Sequence, residues 1–176
     1  LKFFNKLSIY SLNNEVIFFE SSMLISSQWS IEKLLGQRPS LFYFYSDGSL
    51  DYKVIDRSSF KINYDPQNKL EEFIISMIPI QMPQSYLENF DHLLVNSTNN
   101  KWPYKPKTIF TTKAHFANEQ FKFWAAMHHE NGTKLIIGQH GGGIGTMKAI
   151  MFEYLDKTSA DKYVTWGWDD VNFLNI

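Results

Sequence analysis

The sequence has no cysteine, which excludes disulfides, thiolate nucleophiles and cysteine-bound zinc. That fits a cytoplasmic setting. Long apolar runs are also missing: the longest unbroken ones, such as Leu41 to Tyr45, are far short of the roughly 18 residues a membrane helix needs. No transmembrane segment is expected, so any membrane association would be peripheral, at the inner face. Neither sign of charge is in excess. With 17 basic and 18 acidic residues the net charge is −1, which gives no field to draw in nucleic acid.

Several catalytic signatures are absent too. No Gly-Lys-Ser/Thr follows the glycine cluster, so it is not a phosphate-binding P-loop. From Gly143 the pattern Gly-x-Gly is met, but Lys148 stands where the last glycine of a dinucleotide fingerprint belongs. There is no nucleophile elbow of the GxSxG kind. His128 and His129 are neighbours on a helical segment, so their side chains diverge, and no HExxH spacing occurs. No metal and no cofactor are expected. There is no internal repeat and no low-complexity tract.

What the chain does contain is one domain's length, 176 residues, rich in aromatics at 16%, whose faces suit both core packing and stacking on sugar rings. It starts at Leu1 rather than Met and stops after the strand-like Val171 to Ile176. The expectation is one incomplete domain, residues 1–176, cut from a longer protein.

Along the chain, Val16-Ile17-Phe18-Phe19 reads as a buried strand. Ser30 is a candidate cap for a short helix, Ile31 to Leu35, closed by Gly36. Leu41 to Tyr45 is strand-like and ends at the Asp47-Gly48 turn; residues 46–68 read as a connection. Leu70, Phe73, Ile74, Met77 and Ile78 recur at helical spacing until Pro79 and Pro83 break the pattern. Ser85 opens another helical stretch through Leu94, and residues 96–107 read as a loop. A regular alternation follows: strand at Thr108 to Thr111; helix capped by Asn118 and ended at Asn131-Gly132; strand at Lys134 to Ile137; helix from Thr146 to Tyr154; strand from Asp161 to Trp166. That order predicts an α/β fold, a Rossmann-like parallel sheet flanked by helices.

Ligands of open parallel sheets bind beyond the carboxyl ends of the strands. Two segments fall there: Lys113 to Glu119, and Gly138 to Gly143. If their strands are neighbours, His115 and His140 share one edge of the sheet. Gln139-His140-Gly141-Gly142-Gly143-Ile144-Gly145 is the sharpest local feature, because glycines let backbone approach a ligand closely. A helix starting near Thr146 would point free N–H groups at a phosphate. The alternative is a tight turn around a packed histidine. An imidazole titrates near neutrality, so His140 can take a proton from an attacking hydroxyl. His115 can do the same or bind phosphate, or serve only packing. Glu119 either complements its helix dipole or orients His115 and meets substrate. Lys113 and Lys148 are candidate phosphate contacts or solvated lysines. Asp161, Asp169 and Asp170 flank Tyr163 to Trp168, where Trp166-Gly167-Trp168 can stack on a sugar or simply pack.

Several blocks resemble a family of transferases of bacterial surface-polysaccharide (O-antigen-type) gene clusters: Leu34-Leu35-Gly36-Gln37-Arg38-Pro39; Met77 to Pro83 with Tyr86-Leu87-Glu88; Ile109 to Thr112 with Ala114-His115-Phe116 and Asn118-Glu119; Gly132-Thr133-Lys134 leading into Gln139 to Gly143; and Asp161-Lys162-Tyr163 with Thr165 to Trp168. Members of that family are longer, which again implies a fragment. More distantly, the strand followed by Gln-His-Gly is similar to capsule Kdo transferases and teichoic-acid glycerol-phosphate polymerases, which are two-domain GT-B proteins. The resemblance implies one half of such a protein, with His140 as catalytic base; His115, Glu119, Gln139, Gly141, Gly142 and Gly143 are then expected around the substrate. It implies transfer of a sugar or polyol phosphate from a nucleotide-activated donor to a glycan or lipid-linked acceptor. A sugar-nucleotide epimerase of the same architecture, or a non-catalytic glycan- or nucleotide-binding module, is the alternative.

Overall fold

A computed structural model describes residues 9–42, 55–99, 102–141, 143–144, 146–147 and 150–168. Tyr43 to Tyr45, the Asp47-Gly48 turn, Gly142, Gly145, Lys148, Asp169, Asp170 and the segment after them lie outside the described residues.

Four strands, β1 (Val16–Phe19), β2 (Thr108–Thr111), β3 (Lys134–Gly138) and β4 (Lys162–Val164), form one parallel sheet in the order β1-β2-β3-β4. Six helices accompany them: α1 (Ile25–Leu34), α2 (Lys69–Gln81), α3 (Phe90–Asn99), the single turn α4 (Ala114–Ala117), α5 (Glu119–Glu130) and α6 (Met151–Ser159). This is the expected Rossmann-like α/β arrangement. Strands β1 and β2 are short β-branched and aromatic runs, as suits a parallel sheet covered by helices.

Register explains the core. Ile17 pairs with Ile109 and Ile109 with Leu135, so these side chains share one face of the sheet. Phe121, Trp124 and Ala125 of α5 join Ile17, Phe19, Ile109 and Leu135 in one cluster, completed by Phe42, Trp102 and Ala114. The α5 residues recur at helical spacing, and Asn118 caps the helix by accepting from the Phe121 amide at 3.0 Å. On the opposite face Phe18 and Phe110 pack with ring centroids 5.7 Å apart. Asp161 fastens the start of β4 to β3, accepting from Lys134 Nζ at 2.8 Å and the Leu135 amide at 2.9 Å.

Several element boundaries differ from expectation. Helix α1 starts at Ile25, not after Ser30, which lies inside it and donates back to the Ser26 carbonyl at 2.8 Å. Helix α2 runs two residues past Pro79. The Arg57 guanidinium gathers the carbonyls of Pro79, Ile80 and Met82 at 2.9–3.1 Å, which satisfies the end of the helix. The apolar stripe of α2 is helical in spacing but not part of the core: Leu70 and Phe73 are 67% and 60% exposed. The stretch from Ser85 divides into a 3-10 turn, Gln84–Tyr86, and α3, which extends to Asn99 into the expected loop. Strand β4 is shorter than the run from Asp161 to Trp166.

The helix expected from Thr146 starts only at Met151. Thr146 and Met147 instead close a turn, both amides donating to the Gly143 carbonyl at 3.2 Å. Those N–H groups are used within the loop and do not form a helix terminus aimed at an anion.

Candidate functional site

Strands β2 and β3 are paired neighbours, and His115 and His140 each follow the carboxyl end of one of them. His115 is carried by α4, whose first residue, Ala114, is fixed by its amide donating to Thr111 Oγ1 at 3.1 Å. The two imidazoles flank one ring. Phe116 lies 4.1 Å from the His115 ring and 5.0 Å from the His140 ring, centroid to centroid. The edge on which sequence placed them is therefore shared, with Phe116 as the link.

The chain reaches His140 through two glycines that no other residue replaces without strain. A Cβ on Gly138 would stand 2.8 Å from Phe110 Cζ, so the end of β3 has no room for a side chain. Gly141 turns the chain away at φ +87°. Between them, Gln139 does not offer itself to a ligand as expected. It is buried, its Oε1 accepts from Trp168 Nε1 at 2.7 Å and the Trp166 amide at 3.0 Å, and its Nε2 donates to the Ile144 carbonyl at 3.1 Å. A longer contact from Nε2 reaches the Gly141 carbonyl at 3.4 Å. Every position of the amide is taken, so Gln139 clasps the glycine loop to the segment after β4. Trp168 is part of that packing and also carries Lys157 Nζ 5.0 Å from its ring, whereas Trp166 is 65% exposed.

Glu119 does not orient His115. Its carboxylate accepts from the Tyr86 hydroxyl at 2.6 Å and from Lys122 at 2.7 Å. Burial, and then that bond, push the Tyr86 hydroxyl up to about 12. The partner of His115 is Asp156 of α6, whose Oδ1 lies 2.6 Å from His115 Nε2. Lys113 is exposed. His128 packs on Trp124 at 4.9 Å and burial holds it below its ordinary value, while His129 meets Asp161 at 3.1 Å. Among the described residues no group of three or more acidic or histidine side chains is placed to hold a metal.

Among the described residues four buried side-chain polar atoms have no hydrogen-bond partner: His115 Nδ1, His140 Nδ1, Asp156 Oδ2 and the Tyr163 hydroxyl. They belong together. His115 bonds Asp156, Phe116 joins the two imidazoles, and the Asp156 charge adds to the burial that pushes the Tyr163 hydroxyl far up. Orphaned buried groups are uncommon in proteins, and their concentration here makes this the candidate site. Beside it a cleft of about 470 Å³ runs between α5 and α6, from His115, Phe116 and Phe152 to Leu135, His129 and Ser159. Sequence reasoning missed Asp156 and Tyr163. No apolar stripe announced Asp156, because Phe152, four residues before it, and Leu155, one before it, are 56% and 43% exposed.

The chain belongs to the LIC12162 family of transferases, whose family model matches residues 1–176. No curated protein and no solved structure matches it. Among the described residues no helix is long and apolar enough to cross a membrane.

Proposed function

We propose that this transferase moves a sugar or polyol phosphate from a nucleotide-activated donor to an acceptor hydroxyl in the synthesis of cell-surface polysaccharide. The acceptor is a glycan or a lipid-linked glycan, met in the cytoplasm or at the inner face of the membrane. The parallel sheet then serves as one half of a GT-B protein, with the reaction at its carboxyl edge. The observation that carries this reading is the pair of imidazoles gathered there around Phe116, each with an Nδ1 that no described residue satisfies.

In this reading His140 takes the proton of the acceptor hydroxyl as its oxygen attacks the donor. One bond forms from that oxygen to the transferred group. The bond from the group to the donor's phosphate breaks, and the nucleotide leaves with the electron pair. Gly141 and Gly143 keep the loop slim where substrate approaches; His115 and Glu119 form the wall beside it. Nucleotide-sugar and nucleotide-polyol donors, incubated with the full-length protein and glycan acceptors, test the proposal by release of free nucleotide. His140→Ala is expected to abolish transfer and leave the melting temperature within a few degrees. Near-normal turnover in that variant refutes the role of His140, and conversion of the donor sugar without acceptor replaces transfer by epimerisation.

A further inference from the structure

Among the described residues two carboxylates are buried completely, and they are treated differently. Glu32 on α1 is enclosed by donors: the Ser40 amide at 2.8 Å, the Ser40 hydroxyl at 2.5 Å and Gln28 Nε2 at 3.4 Å. Asp156 on α6 is as deeply buried, but only Oδ1 is bonded, to His115, while Oδ2 has no partner. A carboxylate kept only for packing is expected to look like Glu32, because a half-satisfied buried acid is costly. The outer nitrogen of its partner, His115 Nδ1, is also unsatisfied. Both ends of the pair therefore stand open.

An ionised carboxylate only accepts, so the shared hydrogen sits on Nε2, and in the Nε2–H tautomer the lone pair is on Nδ1. We infer that Asp156 is a positioning residue that holds His115 as the Nε2–H tautomer, so that Nδ1 accepts a hydrogen bond from a hydroxyl of the sugar or polyol substrate. The substrate half of this inference rests on the transferase reading; the hold of Asp156 on His115 does not. In the free chain Nδ1 is buried, and the Phe116 ring packs on this imidazole with the centroids 4.1 Å apart. Phe116 is half-buried and its described contacts are ring packing against His115, His140 and Phe152, so a turn of that ring is the movement by which substrate would enter. Phe116 thereby couples access to the two imidazoles.

Two measurements on the full-length protein separate the claims. Nitrogen-15 NMR of the imidazoles, with His115 assigned by its absence in His115→Ala, is expected to give the Nε2–H tautomer in the native chain and a mixture in Asp156→Asn, whose amide can also donate. An Nδ1–H tautomer in the native chain overturns the inference without any variant. Kinetics with a donor and acceptor found active in the native protein give the second readout. Asp156→Asn is expected to raise KM for the hydroxyl substrate about tenfold, the scale of one hydrogen bond, with kcat nearly kept. Adding Asp156→Asn to His115→Ala is expected to cost nothing further. Unchanged KM, or losses that add, overturn the positioning role. Absence of transfer by the native protein would overturn the transferase reading and the substrate half, while the tautomer still decides what Asp156 does to His115.

Discussion

Gln139→Ala tests whether the loop that carries His140 is held as the structure has it. The truncation removes the acceptor of the Trp168 indole and the Trp166 amide, at 2.7 and 3.0 Å, and the donor to the Ile144 carbonyl at 3.1 Å. Gln139 is 5% exposed, so water does not readily replace the lost amide. A buried polar group left without its partner costs about 1–3 kcal/mol, and some of these partners lie near the surface, so the sum is about 2–4 kcal/mol. For a chain of this size that lowers Tm by roughly 5–15 °C, read by circular dichroism. Gln139→Glu divides the clasp. It keeps an oxygen for the two tryptophans but turns the other side into a second acceptor facing the carbonyls of Ile144 and Gly141. Its loss of stability is expected to persist when Trp168→Phe is added, whereas Gln139→Ala and Trp168→Phe are expected to overlap. A Tm for Gln139→Ala within about 1 °C of the native chain would refute the clasp, because bonds of this kind cannot be removed from a buried site at no cost.

Two further outcomes concern packing and pH. Gly138→Ala places a methyl 2.8 Å from Phe110 Cζ, so the Phe110 ring must shift; a destabilisation of about 1–3 kcal/mol is expected in urea, and a neutral result would mean the β3 end is looser than described. The Arg57 hydrogen bonds hold the Glu88 carboxyl below its ordinary 4.5, so its contribution is full above that pH and is lost as pH falls through the lowered folded value. Between about pH 3 and pH 7 the urea midpoint of Glu88→Gln is therefore expected to fall less steeply than that of the native chain; parallel curves would show that the pair does not couple to folding.

The fold was legible where one signal dominated. Strands β1, β2 and β3 follow from compact β-branched and aromatic runs, and α5 from Asn118, its helical apolar spacing and Gly132. Legibility failed where a distant group changed the outcome. Pro79 does not stop α2, because Arg57, more than twenty residues upstream, receives the carbonyls at its end. Gln37 is another such case. Its side chain accepts from the amides of Glu15 and Val16 and donates to the Val16 carbonyl, standing in for a neighbouring strand at the start of β1. No local pattern announces either role.

The candidate site divides along the same line. Backbone topology, which strand order reveals, was enough to bring His115 and His140 to one edge. Side-chain pairing was not: Glu119, four residues after His115, was the natural partner in sequence, yet Tyr86 and Lys122 occupy it. Asp156 arrives from the crossover helix between β3 and β4, and only the phase of that helix points it inward. Gln139 shows the converse, since a polar residue beside a candidate base reads as a ligand contact until the tryptophans after β4 are seen to saturate it. In this chain the polar groups that are fully satisfied, Glu32, Gln37 and Gln139, hold the framework. Those left open, on His115, His140, Asp156 and Tyr163, gather at the end of the sheet where parallel folds receive their ligands. Satisfaction of hydrogen bonds, more than residue type or proximity in sequence, is therefore what separates scaffold from site.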